Sequence, residues 1–165
     1  MAGGSRPLML KELVLADLRR AQRLIARIND EIDPQFRIAS QEGDYWIAMT
    51  LSDGAASRER EMRLISDFMA WKSSPGFVMA SEIKEPDAVY AVGVTQKETI
   101  GALSVISRNP LRFSEVQWLA RPQLGDDIPG LLPRGSRQLT AERLRELDVF
   151  FGPRGKFPAM RIGNE

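Results

Sequence analysis

Two neighbouring segments are apolar at nearly every position, and they constrain the fold more than any other feature of the chain. Residues 88–95 read AVYAVGVT and residues 99–107 read TIGALSVIS. A strand with one covered face alternates apolar and polar residues, whereas these segments would place apolar side chains on both faces of a sheet. We therefore expect either helices on both sides of the sheet or a homodimer that uses the second face. Four small residues in these segments would permit close approach of the covering element: Ala91, Gly93, Gly101 and Ala102.

Further strand patterns flank these two segments. We predict a hairpin from residues 36–40 and 45–51, followed by a meander of four strands at 77–83, 88–95, 99–107 and 113–119. Clusters of Pro, Gly, Asn and Asp separate the patterns and mark the turns. The tail either adds a short edge strand within 157–162 or trails off.

Three segments have the spacing of amphipathic helices. The first covers residues 10–28, although a variant interpretation places a short strand at 8–14 and begins a shorter helix near Asp17. The second covers residues 58–72 with Ser57 as its N-cap, and the third covers 141–151 with Thr140 as its N-cap.

These patterns together predict one α+β domain over residues 1–165. Its mostly antiparallel sheet would contain about five or six strands packed with three main helices. We expect residues 1–7 and about 163–165 to be disordered.

The sequence contains neither histidine nor cysteine. This absence excludes Ser/His/Asp and Cys/His nucleophiles and the usual ligands of transition metals. The chemistry that remains uses carboxylate, lysine, tyrosine or serine side chains, or oxygen-bound Mg²⁺ or Ca²⁺. Catalysis by positioning alone, or no catalysis, is also compatible with the sequence.

The charges nearly balance, since 23 Lys and Arg residues face 22 Asp and Glu residues. Such a balance creates no long-range field for nucleic acid or an anionic membrane. We find neither the apolar core of a signal peptide nor a membrane-spanning run of about 18 apolar residues. We expect a cytoplasmic protein that self-associates or binds a protein partner, rather than a membrane or nucleic acid.

Two adjacent carboxylates lie in the Gly- and Pro-rich segment 121–135, at Asp126 and Asp127 after Gly125. They could bind Mg²⁺ through oxygen, or one could act as a general base. A turn would use the same residues, because Asp side chains bond the local backbone. These three residues are the candidates for cofactor binding, although we expect no resident metal or cofactor.

The first predicted helix carries a stripe of arginines at Arg20, Arg23 and Arg27. Guanidinium groups at this spacing could hold phosphates or the acidic face of a partner, or they could form a solvated helix face. Trp46 is a further candidate for partner binding. Its strand already has a better apolar face, so we expect Trp46 to be the most outward-facing of the large aromatic residues. The others are expected in the core: Trp71, Trp118, Tyr45 and Tyr90.

A run of acidic residues, Glu82, Glu85 and Asp87, separates two predicted strands. Together with Tyr90 it could form a small polar site at one end of the sheet. Turn chemistry around Pro86 explains the same residues.

Residues 116–122, which read VQWLARP and lead into Gly125-Asp126-Asp127-Ile128-Pro129, follow the strand meander, and Ala16-Asp17-Leu18 opens a helix. This order resembles that of the acyl-CoA-dependent N-acetyltransferase superfamily. The resemblance implies that backbone amides of the loop 121–135 hold the pyrophosphate of coenzyme A and that a Glu or Tyr transfers the proton. The family's loop pattern is degenerate here, because Gln123-Leu124-Gly125 is one residue short and Pro129 has no amide proton.

Two function classes follow from the sequence. The favoured one is a non-catalytic interaction or regulatory module of unknown partner, because the common catalytic residue types are missing. The alternative is a small transferase that uses the loop 121–135 for an acyl-CoA cofactor.

Overall fold

The structure is a computed structural model that describes residues 9–49, 54–120, 122 and 138–162. Its helices are α1 (Leu10–Ile28), α2 (Ala55–Trp71) and α3 (Ala141–Phe151). Its strands are β1 (Gln35–Ile38), β2 (Tyr45–Ala48), β3 (Gly76–Ile83), β4 (Ala88–Thr95), β5 (Thr99–Ser107), β6 (Arg112–Phe113), β7 (Gln117–Leu119) and β8 (Met160–Arg161). The three helices were predicted, and the α+β class is confirmed.

All strand pairs in the described residues are antiparallel. The order across the sheet is β6-β5-β4-β3-β1-β2-β8, and β7 also pairs with β5. There are more strands than the five or six expected, because the predicted strand 113–119 is divided into β6 and β7 and the tail contributes β8. None of the helices in the described segments is long and apolar enough to cross a lipid bilayer.

Helices cover both faces of the sheet, which is the first of the two expected arrangements. On one face, α1 packs over β3, β4 and β5. The buried residues of this layer come from α1 and from alternate strand positions: Leu10, Val14, Leu18, Ala21, Ile25, Val78, Ala80, Val89, Ala91 and Ala102. The other strand positions face α2 and α3 in a second layer, which includes Phe36, Ile47, Phe77, Val92, Ile65, Phe68, Met69, Leu147 and Phe151. Both apolar faces of β4 are therefore buried.

Two local expectations at helix starts are wrong. The variant strand at 8–14 is not formed, because Leu10 and Val14 belong to α1 and lie against the backbone of β4 at Gly93. Helix α2 begins at Ala55 with Gly54 as its N-cap, rather than after Ser57. The Ser57 hydroxyl accepts a hydrogen bond from Arg60 Nη2 at 3.2 Å, so Ser57 lies within the first turn.

The third helix was predicted with its correct ends. The Thr140 hydroxyl accepts a hydrogen bond from the Arg143 amide at 3.0 Å, as an N-cap does. The terminal residues 1–7 and 163–165, for which disorder was predicted, lie outside the described residues.

Candidate functional site

The candidate cofactor-binding residues Gly125, Asp126 and Asp127 lie outside the described residues, as does the segment 121–135 apart from Pro122. Their roles as metal ligands, as an acyl-CoA loop or as a turn stay predictions.

A buried ion network joins α1 to the hairpin of β1 and β2. Arg37 of β1 donates to Asp17 of α1 from Nε at 2.8 Å and from Nη2 at 2.9 Å. Its Nη1 donates to Asp44 at 2.7 Å, just before β2. The residues Asp17 and Arg37 are both buried. All three guanidinium nitrogens of Arg37 are therefore committed to carboxylates, and the network fixes how α1 lies against the hairpin.

Desolvation dominates the electrostatics of Asp17. Burial raises the pKa of Asp17 above its ordinary value, although the bonds and charge of Arg37 act in the opposite direction. Burial would lower the pKa of Arg37, but its bonds to Asp17 and Asp44 outweigh burial and raise it. The pair holds its charges only because each partner compensates the other.

The predicted arginine stripe flanks this network. Arg20 Nε lies 3.9 Å from Asp17 Oδ1, and the Arg20 side chain is partly exposed. Arg23 and Arg27 are exposed, and within the described ranges neither has an ion-pair partner. The three residues therefore carry positive charge from the edge of the buried network out to the solvent.

Trp46 adjoins the same network from the sheet. It is the cross-strand partner of Arg37, so its half-buried side chain lies on the face of the sheet that α1 covers. Met160 of β8 pairs with Trp46 in turn and is 52% exposed. The structure thus brings Arg20 and Trp46 to the two sides of one buried ion pair. We call the surface formed by Arg20, Arg23, Arg27 and Trp46 the arginine–tryptophan face.

The expectation that Trp46 would face outward most is wrong. Trp71 and Trp118 are 40% and 38% exposed, whereas Trp46 is half-buried and Tyr45 is buried. Trp118 lies in the short strand β7, where Lys11 covers its ring at 4.7 Å from the centroid. Trp71 is the last residue of α2. Trp118 is exposed in a short strand added beside β5 and Trp71 at a helix end, and the residue alternation within β2 carries no information about either position.

The acidic run is only partly brought together. Arg108 donates to Asp87 at 3.0 Å and to Glu82 at 3.2 Å, while Glu85 is exposed. Burial raises the pKa of Glu82, although the charge of Arg108 opposes this. Tyr90 packs against the opposite layer, so it does not join Glu82 in one site. In the described part of the chain, no group of three or more acidic side chains is arranged to hold a metal ion.

Sequence reasoning missed Arg37 and Met160, which lie next to Trp46 in the sheet beside the arginine–tryptophan face. Arg37 was visible as a single charge inside an apolar strand pattern, which is a signal of a buried ion pair. Met160 carried no signal, because the pairing of β8 with β2 joins residues more than a hundred positions apart.

Comparisons with protein-family models, with curated proteins and with solved structures gave no match.

Proposed function

We propose that this protein is a non-catalytic interaction module that binds an acidic segment of a partner protein on the arginine–tryptophan face. The observation that carries the proposal is the position of Arg20 and Trp46 on either side of the buried Asp17–Arg37 pair. The pair gives the face a rigid base, because its bonds fix both α1 and the β1–β2 hairpin.

The chemistry of this surface favours an acidic and partly apolar partner segment. Arg23 and Arg27 are exposed cations that suit carboxylates of the partner. Trp46 and the exposed Met160 beside it offer apolar area for a neighbouring aliphatic or aromatic side chain. Three arginines on a chain of net charge +1 suit a short acidic segment better than the extended phosphate backbone of a nucleic acid.

The same residues support a binding role rather than a catalytic one. Guanidinium groups stay protonated near neutral pH, so Arg20, Arg23 and Arg27 cannot exchange protons with a substrate. The carboxylates of Asp17 and Asp44 are bonded to Arg37. We propose that the module acts in the cytoplasm, which the absence of cysteine supports.

The proposal is tested by selecting peptides from a random display library on the immobilised full chain. We expect the selected peptides to share acidic residues next to an apolar residue. Arg23→Glu/Arg27→Glu should abolish their enrichment, because it places like charges opposite the acidic residues. Arg145→Glu/Arg154→Glu is the matched control, since it reverses two exposed cations on and after α3. Selected peptides without acidic residues, or equal loss in both variants, would contradict the proposal.

A further inference from the structure

A second cluster of donors lies at the same end of the sheet but on its other face. Tyr45 begins β2, Arg161 is its cross-strand partner in β8, and Lys72 directly follows α2. Arg161 Nη2 donates to the Tyr45 hydroxyl at 3.4 Å. The Lys72 ammonium lies 5.1 Å from the centroid of the Tyr45 ring. Three elements that are distant in sequence thus bring two cations and one hydroxyl to one place.

Aromatic rings hold this cluster in position. Phe68 meets Tyr45 and Trp71 edge to face, with centroid distances of 5.4 and 5.9 Å. The Lys72 ammonium lies 3.8 Å from the centroid of the Trp71 ring. Trp71 is nevertheless 40% exposed, so part of its ring remains open to a planar group from solvent.

The cluster brings the cations of Lys72 and Arg161 to Tyr45. Burial acts to raise the pKa of Tyr45, yet the bond from Arg161 and the charge of Lys72 outweigh burial and lower it. Glu42 contacts this cluster, since its Oε2 lies 3.3 Å from Arg161 Nη2, and its side chain is 75% exposed. An anion that replaced Glu42 at Arg161 would meet the donors of Lys72 and Tyr45 as well.

We infer that Tyr45, Lys72, Arg161 and Trp71 form a binding site for a phosphate monoester that carries a planar ring, attached either directly or through a sugar. The three terminal oxygens of such a phosphate match the hydroxyl, the ammonium and the guanidinium fork. A carboxylate carries a single negative charge on two oxygens in one plane, so it matches two cations and a hydroxyl less well than a phosphate dianion does. The attached ring stacks on the exposed part of Trp71. This site shares no residue with the arginine–tryptophan face, so either proposal can fail alone.

The experiment measures the dissociation constants of four probes for the full chain by calorimetry. Phenyl phosphate and adenosine monophosphate present the ring as a simple aryl group or as a nucleobase, whereas inorganic phosphate has no ring and benzoate has no phosphate. We expect at least one ring-bearing phosphate to bind about tenfold more tightly than inorganic phosphate, because stacking adds to the ionic bonds. Benzoate should bind more weakly than either ring-bearing phosphate.

Variants assign the binding to these residues. Lys72→Met should weaken phenyl phosphate by about tenfold or more, because it removes a charge-assisted bond. Trp71→Leu should reduce its affinity to that of inorganic phosphate. Lys156→Met is the matched control, since Lys156 also lies over an aromatic ring, that of Phe157, outside the site. Glu42→Gln should strengthen binding, because it removes the competing carboxylate at a fully surface position.

Saturation with phenyl phosphate should also raise the pKa of Tyr45, because a bound dianion disfavours the phenolate. This readout does not depend on how stable the variants are. Binding of neither ring-bearing phosphate at millimolar concentration would overturn the inference. Equal effects of Lys72→Met and Lys156→Met, or an unchanged Tyr45 titration at saturation, would overturn it as well.

Discussion

At the scale of single residues, the two tyrosines of the chain lie in the same layer but in opposite electrostatic environments. Tyr45 has the cations of Lys72 and Arg161 beside its ring and hydroxyl, and its pKa is lowered despite burial. Burial raises the pKa of Tyr90. The two tyrosines therefore differ in the sign of their pKa shift, because cations lie beside the Tyr45 hydroxyl whereas burial determines the shift of Tyr90.

An absorbance titration of the folded protein should therefore show two ionisation steps, one on each side of the ordinary tyrosine value of 10.0. Between the folded pKa of Tyr45 and 10.0, the folded state releases its proton first, so Tyr45 adds stability as the pH rises through that interval. Tyr90 removes stability as the pH rises from 10.0 towards its own raised pKa. Lys72→Met should move only the lower step upward. A single step near 10.0 in the unmodified protein would contradict this account.

The Asp17–Arg37 pair yields a second prediction at this scale. Removing one partner of a buried ion pair usually costs about 3–5 kcal/mol of unfolding free energy. We expect Asp17→Ala to cost about 3 kcal/mol, at the low end of that range, because Asp44 still binds Arg37. The double variant Asp17→Ala/Arg37→Met should cost clearly less than the sum of the single variants. Denaturant unfolding of all four proteins measures this, and additive costs would contradict the described coupling.

At the scale of elements, long periodic segments were predicted accurately. The ends of α1, α3, β4 and β5 agree with the sequence patterns, because each buries a continuous apolar stripe or face. Helix α1 ends before Asn29, which adopts a left-handed conformation with φ of 52°. These helix and strand ends depend on residues at or next to the end itself, so the nearby sequence is sufficient to predict them.

The elements that were missed depend on distant contacts. The predicted strand 113–119 is interrupted between β6 and β7, where Ser104 Oγ donates to the Ser114 carbonyl at 2.6 Å. The Ser114 hydroxyl accepts from the Val105 amide at 2.8 Å, while the Ser114 amide still donates to the Val105 carbonyl at 2.9 Å, so a side-chain bond takes the place of one bond of the regular ladder there. No pattern in residues 113–119 shows that two serines ten positions apart will bond.

The candidate sites divide in the same way. The arginine stripe was predicted, because its spacing of three and four residues is a local property of one helix. The pairing of Asp17 with Arg37 was not predicted. In sequence, Asp17 is equally typical of the exposed first turn of a helix that begins near it, as in the variant interpretation. The cluster of Tyr45, Lys72 and Arg161 requires β8 to pair with β2, which no local signal indicates.

The packing of α1 on β4 permits a sharp test of the fold. A Cβ atom on Gly93 would lie 2.6 Å from Leu10 Cδ1 and 2.7 Å from Val14 Cγ2. We therefore expect Gly93→Ala to lower the unfolding free energy by about 1–3 kcal/mol, as overpacking does. Gly54→Ala is the control for the change of residue type, because nothing lies within 4 Å of its added carbon, and it should cost only the weaker N-cap of α2, about 0.5–1 kcal/mol. A Gly93→Ala protein as stable as the original would show that α1 does not approach β4 so closely.

At the scale of the whole molecule, both proposed sites lie at the end of the sheet formed by β1, β2 and β8. On one face, α1 is centred over β3, β4 and β5, so Trp46 and Met160 retain exposed surface. On the other face, Lys72 directly after α2 lies over the Tyr45 ring of β2 and over the ring of Trp71. Tyr45 and Trp46 are adjacent in β2, but strand side chains alternate between the faces of a sheet, so each residue belongs to a different proposed site.

The arginine–tryptophan face is proposed to bind an acidic partner segment. The most direct measurement is the dissociation constant of one selected acidic peptide for three proteins: the unmodified chain, Arg23→Glu/Arg27→Glu and the control Arg145→Glu/Arg154→Glu. The account predicts that only the first variant weakens binding, by about tenfold or more, and that added salt weakens binding to the unmodified chain. Equal affinities for all three proteins, or binding that is indifferent to salt, would contradict it.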